Sequence, residues 1–408
     1  MQKEDQETTK NRRKSAYLGI LLLGIVSLMG DIVYEGSRGV LPSYLEFLGA
    51  SILIAGLVGG LDVLGYVARL VSGFLADKTQ AYWIFIFIGY GLIASIPLLG
   101  IFTGLEMIIL LVSLERLGKA FRAPSRDTVL SFISKDVGAG RAFGIHELLD
   151  QIGGILGPLI VAGLMFYSND YRQTFNFLFI PFLILLVALG YTYKRIGSKT
   201  IITSSRTEGK GKKLTKPFYV YTFAVLLNTV GLIPYTLILY RASEILKPMN
   251  QQWIVPLIYL LIQGVDAPAA LLSGFAYDKY GIRVLVVPFV LSIFPPLLTI
   301  ANAELTMLIA ASIVFGLVLG MQESIYRAAV SNLTPISSRG TGYGIFNTAY
   351  GVGLFISGAS YGLLMTLNPP FIIVILYVLI MQIIATASLL SVSVQMKNRS
   401  DYAARTLP

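Results

Sequence analysis

Long apolar runs recur along the whole chain and constrain its fold more than any other feature. A helix needs about 20 mostly apolar residues to cross the hydrocarbon core of a bilayer. Twelve runs of this kind are found, with a polar break after the sixth. The predicted helices lie near 16–38, 51–75, 82–103, 106–131, 142–167, 173–193, 217–240, 252–276, 283–302, 305–331, 342–366 and 370–394. The chain is therefore predicted to be an all-α membrane protein with twelve transmembrane helices.

The charged residues are few, and the basic ones are unevenly placed. Charged residues make up 13% of the chain and hydrophobic ones 55%, a composition typical of multi-pass membrane proteins. Most of the 32 lysines and arginines fall on the side that holds both termini, whereas Arg172, Arg241 and Lys247 fall on the other. Loops rich in lysine and arginine stay on the cytoplasmic side of a membrane. The protein is therefore predicted to lie in the cell membrane with both termini in the cytoplasm. The net charge of +10 is then a topology signal, and no nucleic-acid partner is expected.

Five segments follow from this pattern. The predicted boundaries are a cytoplasmic N-terminal tail at 1–15, a six-helix bundle at 16–193, a basic cytoplasmic linker at 194–216, a second six-helix bundle at 217–394 and a cytoplasmic C-terminal tail at 395–408.

The two halves resemble each other at an offset of about 200 residues. The run from Gly73 to Lys78 recurs from Gly274 to Lys279, at the same end of the second helix of each half. Further matches pair Gly144, Ile145 and Gly153 with Gly344, Ile345 and Gly353. Two pseudo-symmetric six-helix bundles are the architecture of many secondary transporters.

Three motifs give the chain a resemblance to the major facilitator superfamily. The loop motif after helix 2 of that family is matched by Gly73, Asp77 and Lys78. Its antiporter-associated helix-5 motif is matched by Gly144, Gly153, Gly157 and Pro158, and its helix-4 arginine by Arg116. The resemblance implies the fold of that family, transport by alternating access, and proton-coupled antiport.

A set of residues near the predicted cytoplasmic side is expected to control the transport cycle. Glycines let membrane helices approach closely, and a proline inside a helix favours a bend. Arg122 and Arg126 are open to two interpretations, as structural ion pairs at the cytoplasmic mouth or as gating pairs. Asp77 and Asp278 are predicted to be state-controlling turn residues. The predicted gating residues are Gly73, Asp77, Lys78, Arg122, Arg126, Gly153, Gly157, Pro158 and Asp278.

Ionisable residues inside the membrane are costly and usually face a cavity or a partner. They are concentrated in the first half of the chain, so ion coupling is predicted to reside there. Asp62, Glu115 and Arg116 lie about 15 Å into their helices, near the midplane, and are predicted to form the central proton-linked site. Further candidates for proton coupling are Asp31, Glu35 and Asp150.

The second half offers an amphipathic lining instead of charges. Asn228, Tyr235, Gln263, Tyr326, Asn347 and Tyr350 are predicted to contact the substrate, together with Arg38 and Arg116 from the first half. For any one of these residues, ordinary helix packing is the competing interpretation.

The function predicted from these features is secondary active transport of a small amphipathic molecule by a monomer, with proton-coupled export. One alternative is a proton-coupled importer of an organic anion, bound by Arg38, Arg116 and Lys119. Another is a non-transport membrane protein such as a receptor or lipid scramblase. A membrane enzyme is least favoured, because nucleophile, phosphate-loop and metal motifs are missing from the sequence. No cofactor or metal is expected.

Overall fold

The computed structural model describes residues 2–134, 137–197, 213–301, 304–335 and 339–406. It describes the backbone alone at 2–12, Leu70, Asp77, 139–141, 339–340 and 393–406. Within these ranges the chain is almost entirely helical. The α-helices are α1 (Gln2–Phe47), α2 (Ile52–Gly60), α3 (Asp62–Thr79), α4 (Tyr82–Gly91), α5 (Ser95–Leu98), α6 (Leu105–Ile133), α7 (Ala139–Ser168), α8 (Tyr171–Phe177), α9 (Phe179–Ile196), α10 (Lys216–Val230), α11 (Tyr235–Leu246), α12 (Ile254–Tyr280), α13 (Val286–Leu291), α14 (Phe294–Ala301), α15 (Leu305–Met321), α16 (Arg327–Leu333), α17 (Arg339–Leu367) and α18 (Phe371–Thr406).

Nine helical stretches among the described residues are long and apolar enough to cross a membrane. One of them, Ile254–Ala301, is 48 residues long and covers two of the predicted spans. Tyr82–Leu98 is apolar but shorter. α6 is long enough to cross but carries many charged side chains along its length. The predicted spans thus all fall on helical segments.

Several predicted helices have the wrong limits, among them the first and the seventh. The first was predicted to end at residue 38, but α1 continues to Phe47 through Pro42. The seventh was predicted as one helix over 217–240, but the structure breaks it between α10 and α11. The break occurs because Pro234, which has no backbone N–H, precedes α11 in an extended conformation.

Side chains satisfy the backbone carbonyls that this break frees. Tyr361 and Ser357 of α17 donate hydrogen bonds of 2.5 Å to the carbonyls of Gly231 and Leu232. Tyr377 of α18 donates a 3.2 Å bond to the carbonyl of Val230. Irregular backbone at membrane depth is tolerated only where such partners exist. The break is therefore a built feature of the fold.

The helices form two compact units. Unit 1 comprises Met1–Leu41 with Leu64–Arg206, and unit 2 comprises Pro42–Val63 with Thr207–Pro408. Unit 2 thus contains residues 42–63, which the sequence places in the first bundle. The predicted boundaries of the tails and the linker stay predictions.

Small residues explain why 42–63 packs within unit 2. Gly56 and Gly60 of α2 are four residues apart, as are Gly358 and Gly362 of α17, and each pair forms a Gly-x-x-x-Gly motif. A side chain added at Gly56 would meet the carbonyl of Gly358, and one added at Gly60 would lie 2.8 Å from Cα of Phe355. Such motifs allow two membrane helices to approach backbone to backbone.

Two polar contacts also hold this segment within unit 2. The Tyr240 hydroxyl of α11 donates a hydrogen bond of 2.7 Å to the carbonyl of Ala50. Lys247, which follows α11, forms an ion pair of 2.6 Å with Glu46. The segment is therefore joined to α11 as well as to α17.

Gly56→Ala is expected to destabilise the protein by about 1–3 kcal/mol, because the added methyl group must push α2 away from α17. Unfolding in detergent measures this effect. Gly264→Ala in α12 is the matched control, since nothing lies within 4 Å of its added methyl group. A stability of Gly56→Ala equal to that of Gly264→Ala would contradict the close packing of α2 on α17.

Candidate functional site

Glycines bring the helices of unit 1 into close contact around its charged residues. A Cβ at Gly153 of α7 would lie 2.6 Å from the carbonyl of Leu28 and 2.8 Å from Cβ of Asp31. Four residues later, a Cβ at Gly157 would lie 2.7 Å from the carbonyl of Ile32. Gly153 and Gly157 of the helix-5 motif therefore form the α1–α7 crossing, at the level of Asp31, whereas nothing lies within 4 Å of a Cβ at Gly144.

A second glycine crossing joins α4 to α6. A Cβ at Gly89 would lie 2.7 Å from the carbonyl of Gly118 and 2.6 Å from Cβ of Arg122. Tyr90, the next residue of α4, is consequently held against Arg122, whose guanidinium lies 5.2 Å from the centre of the Tyr90 ring.

Arg126 of α6 lies at the centre of a network of polar side chains. Its guanidinium forms ion pairs of 3.5 Å with Asp150 of α7 and 3.0 Å with Asp127, and it donates a hydrogen bond of 2.9 Å to Ser27 of α1. Arg126 and Asp150 each keep less than a fifth of their side-chain surface exposed. The network connects α1, α6 and α7 through ion pairs and a hydrogen bond.

His146 belongs to the same network, although it was not among the predicted site residues. It is buried, and its Nδ1 lies 3.4 Å from Asp150 Oδ2. Its Nε2 lies 3.1 Å from the Ser27 hydroxyl, which is also 2.9 Å from the Tyr90 hydroxyl. The spacing of four between His146 and Asp150 was visible in the sequence, whereas nothing there pointed to Ser27.

Tyr34 of α1 is surrounded by three basic side chains. The centre of its ring lies 5.4 Å from the Arg38 guanidinium, 5.0 Å from Lys119 Nζ and 4.9 Å from the Arg122 guanidinium. These distances are within the range of cation–π attraction. The ring is buried, so the attraction acts away from bulk water.

Two short ion pairs hold carboxylates near this ring. Glu115 and Arg116, both buried, are 2.8 Å apart, and Glu35 and Arg38 are 3.2 Å apart. Asp62, predicted to join Glu115 and Arg116, begins α3 and falls in unit 2, whereas Glu115 and Arg116 lie in unit 1. α3 does reach their depth, since a Cβ at Gly65 would lie 3.2 Å from the carbonyl of Arg116.

Asp31 and Asp150 lie on either side of the α1–α7 crossing. Gly153, whose added Cβ would touch Asp31, comes three residues after Asp150. Asp31 is buried and lies close enough to Asp150 for the two carboxyl groups to interact electrostatically. Asp31 and Asp150 are two of the predicted proton-coupling residues, and Arg126 and His146 are their neighbours.

In unit 2, uncharged side chains form a buried network around Asn228 of α10. Its Oδ1 accepts hydrogen bonds from the Tyr326 hydroxyl at 2.8 Å and from Gln322 Nε2 at 3.4 Å. Its Nδ2 donates a 2.8 Å bond to Gln382 Oε1, and the Tyr350 hydroxyl donates a 2.8 Å bond to Gln322 Oε1. Gln322 and Gln382 were not predicted, although each is a polar residue within an apolar run.

The two networks occupy equivalent positions of the internal repeat. About 200 residues separate Arg122 from Gln322, Arg126 from Tyr326, and Asp150 from Tyr350. Gln322–Tyr326 also forms a π-helical turn between α15 and α16, and such turns often occur at functional sites. Unit 2 therefore holds a neutral counterpart of the charged network of unit 1.

The other predicted substrate residues are not part of this network. Tyr235 packs against Tyr259 and Phe315, with ring centres 5.1 and 6.3 Å away. Gln263 and Asn347 are half-buried.

The remaining predicted gating residues lie on helices. Gly73 lies near Pro124, Lys78 and Asp278 are exposed in the last turns of α3 and α12, and α7 continues through Pro158. Asp278 is thus on a helix and not in the predicted turn. The side chain of Asp77 lies outside the described residues. Their roles in gating stay predictions.

Asn228→Ala is expected to destabilise the protein by about 2–4 kcal/mol, because it leaves buried groups of Tyr326, Gln322 and Gln382 without their partner. Unfolding in detergent provides the measurement. Asn332→Ala is the control, since Asn332 is exposed and makes one 3.1 Å bond, to Tyr277. Equal losses in the two variants would show that the network adds nothing specific.

Neither network resembles a metal site. Among the side chains that the structure describes, no three of His, Cys, Asp or Glu come together as metal ligands would.

Comparison with known proteins gives one consistent family. A family model described as Major Facilitator Superfamily matches residues 20–358 and 247–401. An uncharacterised protein of Mycobacterium tuberculosis is 32% identical over 374 residues, which is 90% of this chain and 91% of that protein. An uncharacterised MFS-type transporter of Methanocaldococcus jannaschii is 26% identical and covers 90% of this chain and 91% of its own length.

Solved structures share the fold at low identity. The nucleoside transporter NupG gives a TM-score of 0.69 at 15% identity and covers 91% of this chain and 98% of its own. A variant of the peptide transporter POT gives a TM-score of 0.68 at 14% identity and covers 92% of this chain and 93% of its own. The predicted fold class is thereby confirmed, and the family indicates a multi-pass membrane transporter of small molecules rather than an enzyme. The chain belongs to the Major Facilitator Superfamily.

Proposed function

We propose that this protein is a proton-coupled secondary active transporter that moves a small amphipathic molecule across the cell membrane by alternating access. It acts as a monomer with both termini in the cytoplasm. The observation that carries the proposal is the buried network of Asp31, Asp150, His146 and Arg126 in unit 1, whose equivalent in unit 2 has no charge. A receptor or scramblase would not need this asymmetry.

Asp31 and Asp150 are the proposed proton carriers. Asp31 is buried against Gly153, three residues from Asp150 on α7, and two carboxylates close together away from water cannot both be ionised without a large electrostatic cost. Arg126 stabilises the charged form of Asp150, and His146 offers a neutral donor and acceptor next to it. Proton binding would therefore change which groups pair with Arg126.

Asp62, Glu115 and Glu35 are retained as secondary candidates. Glu115 and Glu35 each already form an ion pair with a neighbouring arginine. Arg38 and Arg116 of unit 1 stay proposed substrate-binding residues, and so, considered separately, do the residues around Asn228 of unit 2.

The proposed direction is export, in exchange for protons. Support comes from the helix-5 glycines, because Gly153 and Gly157 match the antiporter-associated motif and bring α7 against α1 beside Asp31. Uptake into inverted vesicles would show export, and uptake into right-side-out vesicles would show import.

A ligand screen followed by uptake in proteoliposomes tests the function. Compounds that raise Tm of the purified protein are offered to proteoliposomes under an imposed pH gradient. At least one compound is expected to accumulate above equilibrium, and a protonophore is expected to abolish the accumulation. The proposal fails if ligands bind but none crosses, or if accumulation is unaffected by the protonophore.

A further inference from the structure

Two basic side chains of unit 1, Lys119 and Arg122, lie beside the same tyrosine ring. Among the described residues, neither forms an ion pair or donates a hydrogen bond to another side chain. Arg122 is 3% exposed, and its Nη1 is buried without any hydrogen-bond partner. A buried guanidinium in this condition is costly, and its cation–π contacts recover only part of that cost.

The nearby carboxylates are engaged with other cations. Glu115 pairs with Arg116 at 2.8 Å and Glu35 with Arg38 at 3.2 Å. Asp150, from α7, pairs with Arg126. Lys119 is repelled by Arg38 and Arg69 and attracted by Glu35 and Glu115, which these ion pairs also engage. The carboxylates near Lys119 and Arg122 are therefore already in contact with other cations.

The side chains of Lys119 and Arg122 converge on the ring of Tyr34. They are three residues apart on α6, so they lie on the same face of that helix. Lys119 Nζ and the Arg122 guanidinium lie 5.0 and 4.9 Å from the centre of the same Tyr34 ring, and Tyr90 lies on the other side of Arg122 at 5.2 Å. A planar fork of N–H donors beside an ammonium group suits an oxyanion such as a carboxylate or phosphate.

We propose that Lys119 and Arg122 bind the oxyanion group of the transported molecule, while Tyr34 and Tyr90 contact the apolar part next to it. The inference rests on the proposed transport function and names its substrate class, an amphipathic carboxylate or phosphate. It is a property of unit 1 alone, because the equivalent positions of the repeat hold Leu319 and Gln322.

The experiment uses the full-length protein in nanodiscs of uncharged lipid, so that no anionic headgroup competes. The probes are benzoate and phenyl phosphate, with neutral benzamide and cationic benzylamine as matched controls at equal ionic strength. Benzoate, phenyl phosphate or both are expected to raise Tm more than the neutral and cationic compounds do. The response to each anion shows whether a carboxylate or a phosphate is preferred.

Arg122→Gln is expected to weaken anion binding roughly 10-fold to 100-fold, as expected when a hydrogen bond to a charged group is lost. Lys119→Gln is expected to weaken it as well, and Arg122→Lys should retain part of the affinity. Arg195→Gln is the matched control, because that guanidinium lies 5.4 Å from the Tyr191 ring but is exposed at the end of α9. The Arg195→Gln variant should bind the anions with the same affinity as the unchanged protein.

A structural role for Arg122 predicts a different result. If the guanidinium only holds α6 against α1 and α4, Arg122→Gln lowers Tm without ligand but leaves the anion-induced rise unchanged. That outcome, or a failure of both anions to exceed benzamide, overturns the inference.

The transport proposal is judged separately by accumulation in proteoliposomes. If the anions bind through Arg122 but no compound accumulates under a pH gradient, the anion site stands and the transport proposal fails. If a neutral compound accumulates while neither anion binds, the anion site fails and the transport proposal stands.

Discussion

Asp31→Asn and Asp150→Asn are each expected to abolish the accumulation of substrate against its gradient, while exchange of substrate across the membrane stays measurable. Asparagine keeps the shape of the side chain but cannot take up or release a proton. Asp31 is buried at the α1–α7 crossing, and Asp150 contacts both Arg126 and His146. Uptake of labelled substrate with and without an imposed pH gradient separates accumulation from exchange.

Asp170→Asn is the matched control for this prediction. Asp170 caps the start of α8 by accepting hydrogen bonds from the backbone N–H groups of Arg172 and Gln173, and asparagine caps a helix about equally well. The Asp170→Asn variant should accumulate substrate to the same level as the unchanged protein. Normal, pH-dependent accumulation by both Asp31→Asn and Asp150→Asn would exclude this pair, and Asp62, Glu115 and Glu35 would be the next candidates.

Arg126→Gln is expected to destabilise the protein by about 3 kcal/mol, because it leaves Asp150 in a largely buried position without its cation. The double variant Arg126→Gln, Asp150→Asn should recover much of that loss, since it buries no uncompensated charge. Unfolding of the single and double variants in detergent gives the interaction energy of the pair.

The exposed ion pair between Arg241 and Glu244 provides the comparison. Its atoms are 2.8 Å apart, closer than those of Arg126 and Asp150, but about a third of each side chain is exposed. Arg241→Gln should cost about 1 kcal/mol or less. If Arg126→Gln costs no more than Arg241→Gln, or if the double variant recovers nothing, the ion pair does not organise the network.

Much of the fold could be predicted because its cause is local in the sequence. Each span needs a long apolar run, and the repeat leaves matching glycines in both halves. A close approach of another helix to α7 could also be predicted from Gly153 and Gly157, since glycine has a clear role in helix packing, but not that this helix is α1. The break between α10 and α11 was missed because the apolar run continues through it, although Gly231 and Pro234 were visible.

The composition of the charged network was less predictable, because it depends on which faces of several helices meet. Depth along a helix selected Asp62 and Glu115, but depth alone does not say which helix faces a residue. The crossing at Gly153 places Asp31 against α7, three residues from Asp150. Ser27 carries no signal in the sequence, yet it links Tyr90, Arg126 and His146.

The grouping of 42–63 with unit 2 could be predicted only in part from the sequence. The Gly-x-x-x-Gly pairs at Gly56 and Gly358 each predict a close helix contact, but the sequence does not say that they contact each other. That pairing is a tertiary property, as are the contacts of Glu46 with Lys247 and of Ala50 with Tyr240.

Proton movement driven by a substrate gradient tests the central claim most directly. Proteoliposomes with a pH-sensitive dye inside are given a gradient of a substrate found by the screen, with no pH gradient imposed. The unchanged protein and Asp170→Asn are expected to move protons opposite to the substrate, whereas Asp31→Asn and Asp150→Asn move substrate without protons. Substrate movement with no change of internal pH in the unchanged protein, or an equal change in the Asp31 and Asp150 variants, would contradict proton coupling by this network.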